Sequence, residues 1–402
     1  MNQTKCDRYK ILCVASHPVQ YSTPIFRRIS QHSQLDMLVA YCSLQGANKG
    51  FDPGFNMEIK WDIPLLDGYP WVELSNQSLK PGLSNFWGLV NLELWRTIRH
   101  GNYDAVIILT GYVYASFWIA LIAAKISRIP VLFGTDAHEI SPRDKKIWKT
   151  NLKKLLLPHI FNLADIVTVV SSGGVKLMKS LGISEDKIQL TPYAVDNEWW
   201  LSQVEQIDRD LIRQNWNIPH EAFVILFCAK LQPWKSPEDV LLAFAEANLS
   251  QAYLVFAGEG SLRNSLEEKA KELNILEKVR FLGFVNQSQL PSVYGSADIL
   301  VLPSEYEPFG LVVNEAMLCG CPVIVTDKVG AHYDLSIEEK TGYVYSCHDI
   351  KALALILEKL ATQPELLKKM SNNAVNQIKS WSPQENISGL IEGLDKCMTK
   401  NR

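Results

Sequence analysis

Short apolar segments with the composition of β-strands alternate with helix-length segments along most of this chain. The first series contains candidate strands at residues 9–15, 35–41, 105–109, 130–133 and 166–170. After a polar stretch, a second series contains candidate strands at residues 222–229, 252–257, 279–282, 299–302 and 323–325. This alternation is typical of βαβ units, in which helices join parallel strands. We therefore predict an α/β protein with two Rossmann-like domains and a hinge near Asp196.

The length of the chain agrees with two domains. It has 402 residues, more than the size at which a single hydrophobic core usually stops growing. We assign residues 1–196 to an N-terminal domain, residues 197–380 to a C-terminal domain, and residues 381–402 to a helix that packs back on the first domain. Residues 43–84 are rich in Gly, Pro and aromatic residues, and we predict a long excursion with a role in recognition.

Composition and charge exclude several classes of protein. A net charge of −3 with 47% hydrophobic residues is typical of a soluble protein and argues against a nucleic-acid partner. The eight cysteines form no CxxC pair, and the polar start does not look like a signal peptide, so we expect a reduced, cytoplasmic protein. Cys319 and Cys321 have no His cluster beside them, so we predict no metal site there.

One uncharged segment, residues 105–124, has about the length that a bilayer requires. Thr110 and Gly111 divide it into a β-branched run and a helix-like run that ends at Lys125. We therefore predict a buried strand followed by a buried helix rather than a membrane span.

Two carboxylates, Glu307 and Glu315, bracket a Pro-Phe-Gly turn between a strand-like and a helix-like run. Ligands of open α/β sheets bind at the carboxyl ends of strands, and helix N-terminal N–H groups favour anions such as phosphate. An ionised carboxylate one turn into the helix accepts hydrogen bonds only, as a ribose diol requires. The alternative is a turn carboxylate followed by a first-turn acid that the helix dipole stabilises.

Four motifs in the second half resemble the donor domain of glycosyltransferase family 4, which has the GT-B fold. They are residues 227–231 followed by Lys235, residues 256–260, residues 279–285, and the Glu307/Glu315 pair followed by residues 320–324. In the first half, residues 164–171 and 192–196 are similar to segments before the hinge of the family. The resemblance implies two Rossmann-like domains that face each other across a cleft. This chain departs from the family in having Lys230 where Arg is usual, and in lacking paired glycines in the first loop.

The resemblance also implies roles for individual residues. Lys230 and Lys235 would neutralise the diphosphate leaving group, Glu307 would contact the donor sugar, and Glu315 would bind the ribose. The remaining donor-binding candidates are Gly258, Phe284, Val285, Phe309, Gly310, Leu311 and Val312. The first domain would contribute Asp136 and His138 as further catalytic candidates, with His17 and Gln20 of the first loop as acceptor-binding candidates.

The expected activity is transfer of a hexosyl-type sugar from a UDP-, GDP- or ADP-sugar to a saccharide or lipid-linked acceptor, in the synthesis of a glycan, lipid-linked saccharide or glycolipid. Family members retain the anomeric configuration and need no metal or other cofactor. Two alternatives remain open, a nucleotide-sugar 2-epimerase of the same architecture and a non-catalytic nucleotide-sugar-binding subunit.

Two charged segments have separate interpretations. Residues 145–156 form a candidate basic amphipathic helix that either contacts the inner face of an anionic membrane or exposes a solvated face. The Asp208-Arg209-Asp210 sequence is a DxD motif, but no strand precedes it, so we interpret it as surface charge.

Overall fold

The computed structural model describes residues 8–140 and 147–400. The strands are β1 (Tyr9–Ala15), β2 (Leu35–Tyr41), β3 (Gly50–Asp52), β4 (Met57–Ile59), β5 (Trp71–Glu73), β6 (Ala105–Ile108), β7 (Val131–Thr135), β8 (Ile166–Val169), β9 (Ile188–Leu190), β10 (Phe223–Cys228), β11 (Ala252–Ala257), β12 (Val279–Gly283), β13 (Ile299–Leu302), β14 (Val323–Thr326) and β15 (Gly342–Tyr345). The α-helices are α1 (Ser22–Gln31), α2 (Glu93–His100), α3 (Ala115–Ile126), α4 (Ile147–Asn162), α5 (Ser172–Ser180), α6 (Asn197–Val204), α7 (Arg209–Asn215), α8 (Pro237–Ala247), α9 (Arg263–Glu272), α10 (Leu290–Ser296), α11 (Val312–Leu318), α12 (Ile350–Thr362), α13 (Pro364–Ile378) and α14 (Pro383–Lys400).

These elements form two compact units, each with a parallel sheet and its own hydrophobic core. Unit 1 contains the described residues of Met1–Gly50, Ile63–Tyr193 and Pro383–Arg402. Unit 2 contains Phe51–Asp62 and Ala194–Ser382. The prediction of an α/β protein with two Rossmann-like domains is confirmed.

Unit 1 is built on a seven-stranded sheet with the order β5-β2-β1-β6-β7-β8-β9. The strand order reverses between β1 and β6, which makes this pair the topological switch point. Both faces of a parallel sheet are covered, so its central strands are largely apolar, and all four residues of β6 are buried. The uncharged segment divides as predicted into β6 and α3, and no helix in the described ranges is long and apolar enough to cross a membrane.

Unit 2 is built on a six-stranded parallel sheet with the order β12-β11-β10-β13-β14-β15. Here the order reverses between β10 and β13, so the loops that follow these two strands emerge side by side. The central strand β13 is buried at every position, and the sequence prediction for Ile299–Leu302 is confirmed.

The predicted domain division needs one correction. Residues 51–62, assigned to the N-terminal domain from the sequence, pack with unit 2, because their polar and aromatic groups find their partners there. The rest of the excursion contributes β5 to the edge of the unit 1 sheet. Helix α14 packs against β9 in unit 1, where Gln189 Nε2 donates to Glu392 Oε2 at 3.0 Å.

Candidate active site

The turn between β13 and α11 depends on glycine at its tightest point. Gly310 has a φ of +96°, a left-handed conformation that glycine adopts without strain. A Cβ atom there would lie 3.1 Å from Leu302 Cδ2 and 3.2 Å from Glu307 Cγ. The side chain of the neighbouring Phe309 is 2% exposed and packs in the core, while the backbone of this residue forms part of the turn. Leu311 is the N-cap residue of α11, which starts at Val312 at the carboxyl edge of the sheet.

Glu307 is held in this turn by both its backbone and its side chain. Its N–H donates to the carbonyl oxygen of Lys328 at 3.3 Å, and its own carbonyl oxygen accepts from Gly330 at 3.0 Å. Its carboxylate forms an ion pair with Lys235, which lies on the loop after β10. The side chains of Lys235 and Glu307 are 18% and 14% exposed, so a cation and an anion face each other at the edge of unit 2 with limited access to water.

Glu315 lies one turn into α11 and is almost completely buried. Its Oε2 atom accepts a hydrogen bond from Tyr294 Oη at 2.9 Å, and its Oε1 atom accepts one from Gln287 Nε2 at 3.3 Å. Burial raises the pKa of Glu315 to about 7, although these two hydrogen bonds partly oppose the rise. Each carboxylate oxygen has a second lone pair, so the side chain retains capacity to accept from a ligand.

Sequence reasoning missed Tyr294 and Gln287. They come from α10 and from the loop after β12, and only the fold brings them to Glu315. A tyrosine in a short helix gives no local sign that its hydroxyl has a partner 21 residues away.

Lys230 follows β10 at the same edge, but its partner was not predicted either. Its Nζ atom lies 2.9 Å from both carboxylate oxygens of Asp52 and 4.5 Å from the centroid of the Phe55 ring. Phe284, predicted to bind the donor, lies just after β12, and its ring centroid is 4.9 Å from that of Phe55. Val285 next to it is half-buried.

Gly258 lies between the loops that carry these groups, and close backbone packing explains its presence. A Cβ atom at Gly258 would lie 2.0 Å from the carbonyl oxygen of Ala229. Leu231 N donates to the carbonyl oxygen of Glu259 at 2.9 Å, so the loops after β10 and β11 are joined directly. The glycine therefore fixes the backbone beside Lys230.

The candidates of unit 1 lie at the carboxyl edge of its own sheet. His138 and Asp136 both follow β7, but they differ in burial. The His138 side chain is 6% exposed, whereas Asp136 is exposed to solvent. His17 follows β1 next to the switch point, and its Nδ1 atom lies 3.0 Å from Ser16 Oγ. Burial lowers the pKa of His17. Gln20 is half-buried in the same loop, before α1.

The DxD motif, interpreted from the sequence as surface charge, has a local structural role. Asp208 caps α7 by accepting from Leu211 N at 3.0 Å, and Arg209 pairs with Asp298. Within the part of the chain that the structure describes, no group of three or more His, Cys, Asp or Glu side chains is arranged to hold a metal ion.

Family models match most of both halves of the chain. Residues 67–199 match the model described as Glycosyltransferase Family 4, and residues 208–377 match Glycosyl transferases group 1. The chain belongs to glycosyltransferase family 4. Its second match contains the four motifs of the second half on which the resemblance was based, and these motifs lie in and directly after β10, β11, β12 and β13, with the last one reaching β14.

Individual relatives of this family 4 chain extend the comparison. It is 30% identical to an uncharacterised glycosyltransferase of Methanocaldococcus jannaschii over 233 residues, 57% of this chain and 58% of that one. It is 25% identical to the D-inositol 3-phosphate glycosyltransferase of Streptomyces scabiei over 361 residues, 84% of this chain and 77% of that one. The matches span about half the length of the first curated relatives.

Solved structures establish the fold of this family 4 chain as GT-B. Anabaena HepE, crystallised in complex with UDP-glucose, superposes with a TM-score of 0.71 at 20% identity over 96% of this chain and 100% of that one.

Proposed function

We propose that this protein transfers a glycosyl group from a nucleotide-sugar donor to an acceptor hydroxyl, and that unit 2 binds the donor. The observation that carries the proposal is the Lys235–Glu307 ion pair at the switch point between β10 and β13. This pair lies next to α11, the helix that contains the buried Glu315. Support comes from the family models and from HepE, whose crystals contain UDP-glucose.

The chemistry requires charge stabilisation at the leaving group. The bond between the anomeric carbon and the diphosphate oxygen breaks, the acceptor oxygen forms the new bond to that carbon, and the acceptor proton passes to the departing phosphate. In this proposal the configuration is retained, as the resemblance implies. Negative charge grows on the diphosphate, so Lys230, Lys235 and the N–H groups at the start of α11 act where the charge develops.

The two glutamates would act at opposite ends of the donor. Glu315 accepts hydrogen bonds from the ribose hydroxyls through the lone pairs that Tyr294 and Gln287 leave unused. Glu307 contacts the sugar hydroxyls or the positive charge that develops at the anomeric carbon. Lys235 then binds the phosphate in place of part of its contact with Glu307. Residues at the carboxyl edge of the unit 1 sheet, His138 and His17 among them, would bind the acceptor.

Isothermal titration calorimetry with UDP, GDP, ADP and their hexose conjugates tests the donor site. We expect one nucleotide series to bind, and we expect Glu315→Gln to weaken that binding about tenfold, because a buried acceptor for the ribose becomes partly a donor. Glu268→Gln is the matched control, since Glu268 is an exposed carboxylate on α9. Unchanged affinity in the Glu315 variant would remove the ribose assignment.

Product analysis distinguishes transfer from the alternatives. A transferase releases free nucleoside diphosphate when an acceptor is added and leaves the configuration of the unused donor unchanged. An epimerase would change the donor sugar without an acceptor. Binding without turnover on any saccharide or lipid-linked acceptor would indicate a non-catalytic subunit.

We also propose that α4 contacts an anionic membrane surface. Trp148, Leu152 and Leu155 lie on one face of the helix at helical spacing, and Trp148 and Leu155 are 61% and 64% exposed. Lysines lie on the rest of the helix surface at positions 149, 153 and 154, whereas Lys145 and Lys146 of the predicted segment lie outside the described residues. A lysine-rich helix with exposed apolar side chains can contact anionic lipid through both charge and apolar burial.

Sedimentation with vesicles tests this surface. We expect binding to vesicles that contain phosphatidylglycerol, weaker binding at high salt, and loss of binding in Leu155→Glu. Leu355→Glu on α12 is the matched control, because Leu355 is also 64% exposed. Equal sedimentation of the two variants would contradict the proposal.

A further inference from the structure

Residues 51–62, here called the strap, pack on unit 2 although they precede the rest of that unit by more than 130 residues. The strap consists of the two-stranded β3–β4 hairpin and the residues that follow it. Asp52 organises its turn, because its Oδ1 atom accepts from the backbone N–H groups of Gly54 at 2.7 Å and Phe55 at 3.1 Å. The backbone of the strap itself therefore orients the carboxylate, independently of the contacts with the rest of unit 2.

One end of the strap encloses the Lys230 ammonium group. Both oxygens of Asp52 lie 2.9 Å from Nζ, and the Phe55 ring covers it. The backbone at Gly54 approaches so closely that a Cβ atom there would lie 2.6 Å from Nζ. Gln232 Nε2 donates to the carbonyl oxygen of Gly54 at 2.8 Å and secures the same turn.

The other end of the strap attaches to the loop after β12. The Trp61 ring lies 5.9 Å from the Phe284 ring, which Phe55 also contacts edge-on. Asn286 Nδ2 donates to the carbonyl oxygen of Lys60 at 2.8 Å, and Ser288 Oγ donates to Asp62. The strap thus covers Lys230, which is predicted to neutralise the diphosphate, and Phe284, which is predicted to bind the donor.

We propose that Asp52 occupies the diphosphate position on Lys230, and that a nucleoside diphosphate binds by displacing the strap. This inference rests on the proposed function. A carboxylate and a phosphate offer the same anionic oxygens to an ammonium group, and the two anions repel each other if both remain beside it. The side chains of Lys230 and Asp52 are 36% and 25% exposed, so water screens their pair and a ligand with more charge displaces it at modest cost.

The first test measures the affinity for UDP, GDP and ADP by calorimetry in the full chain. Asp52→Asn keeps an oxygen for the Gly54 and Phe55 N–H groups but removes the charge, so we expect nucleotide affinity to rise at least about fivefold. Asp67→Asn is the control, because it makes the same change in net charge at an exposed side chain outside the strap. In a Lys230→Gln background, the gain from Asp52→Asn is expected to disappear.

The second test follows hydrogen exchange of the strap amides. We expect faster exchange across residues 51–62 when nucleotide is added, since the strap is released. Slower exchange, or an Asp52→Asn affinity equal to or weaker than that of the wild type, overturns the inference while nucleotide binding by the wild type upholds the donor site. If neither the wild type nor Asp52→Asn binds any of the three nucleotides, the result contradicts both this inference and the proposed donor site of unit 2.

Discussion

The buried carboxyl of Glu315 makes the stability of unit 2 depend on pH in a way that one substitution isolates. Its pKa is about 7 in the folded protein against an ordinary value of 4.5, because burial disfavours the charged form. Between these two pH values the folded state holds a proton that the unfolded state has lost. Raising the pH through this window therefore favours unfolding.

The magnitude follows from the two pKa values. At about 1.4 kcal/mol for each pH unit, the carboxyl lowers the free energy of unfolding by about 2–3 kcal/mol between pH 5 and pH 8. Glu315→Gln has nearly the same shape, and its side-chain oxygen can still accept from Tyr294, but it cannot ionise. We expect the stability of the variant relative to the wild type to rise by that amount over the same range.

Urea unfolding followed by tryptophan fluorescence at pH 5, 6, 7 and 8 measures this difference. Trp200 is fully buried, and its ring centroid lies 5.8 Å from that of Tyr294, so the signal includes the neighbourhood of the carboxyl. All other titrating groups are common to both proteins and cancel in the comparison. Glu268→Gln, at an exposed carboxylate on α9, is the matched control. If the relative stability of Glu315→Gln does not change with pH, the buried carboxyl is not the titrating group.

Three further substitutions test other parts of unit 2. Glu307→Ala should lower the rate of acceptor-dependent nucleotide release at least about a hundredfold, the scale for losing one electrostatic group, and a near-normal rate would contradict its role. Gly258→Ala should cost about 2 kcal/mol in urea unfolding, because its φ is +152° and the neighbouring loop leaves no room for a Cβ atom, whereas Gly111→Ala, with its nearest side chain 3.5 Å away, should be nearly neutral. Arg213→Met should cost about 3–5 kcal/mol by leaving the carboxylate of Asp298 and three carbonyl groups without their buried partner, and a loss below about 1 kcal/mol would show that water replaces it.

The sequence predicted most of the framework because local patterns determine it. Strand β1 at Tyr9–Ala15 was predicted to the residue, since residues 11–15 form the continuous apolar run that is typical of a strand buried on both faces. The helix-like run predicted after the Pro-Phe-Gly turn is α11, which starts at Val312 because the turn at Gly310 leads directly into it. Patterns of this kind depend on neighbours in the chain, so they can be recognised without the fold.

The surroundings of the candidate site could not be predicted in the same way. Asp52 and Lys230 are separated by 178 positions, and an acidic residue in a Gly- and Pro-rich segment gives no indication of its partner. The burial of Glu315 was also invisible, since a helix first-turn acid is usually solvated and the apolar groups around it come from other elements. Gly258 was predicted to bind the donor, and the structure adds a packing reason that its sequence motif alone does not reveal.

The distribution of the chain between the two units has a consequence for synthesis on the ribosome. Every strand of the unit 1 sheet has been made by Leu190, but α14, which packs against β8 and β9, begins only at Pro383. The hydroxyl of Tyr9 in the first strand donates a hydrogen bond to Asp395. This contact of one of the first residues synthesised therefore forms only after one of the last residues has been made. Unit 2 can complete its own sheet during that interval, since β15 ends at Tyr345. The half that is synthesised second is therefore expected to finish folding first, and a chain truncated before α14 would leave the β8–β9 surface of unit 1 uncovered.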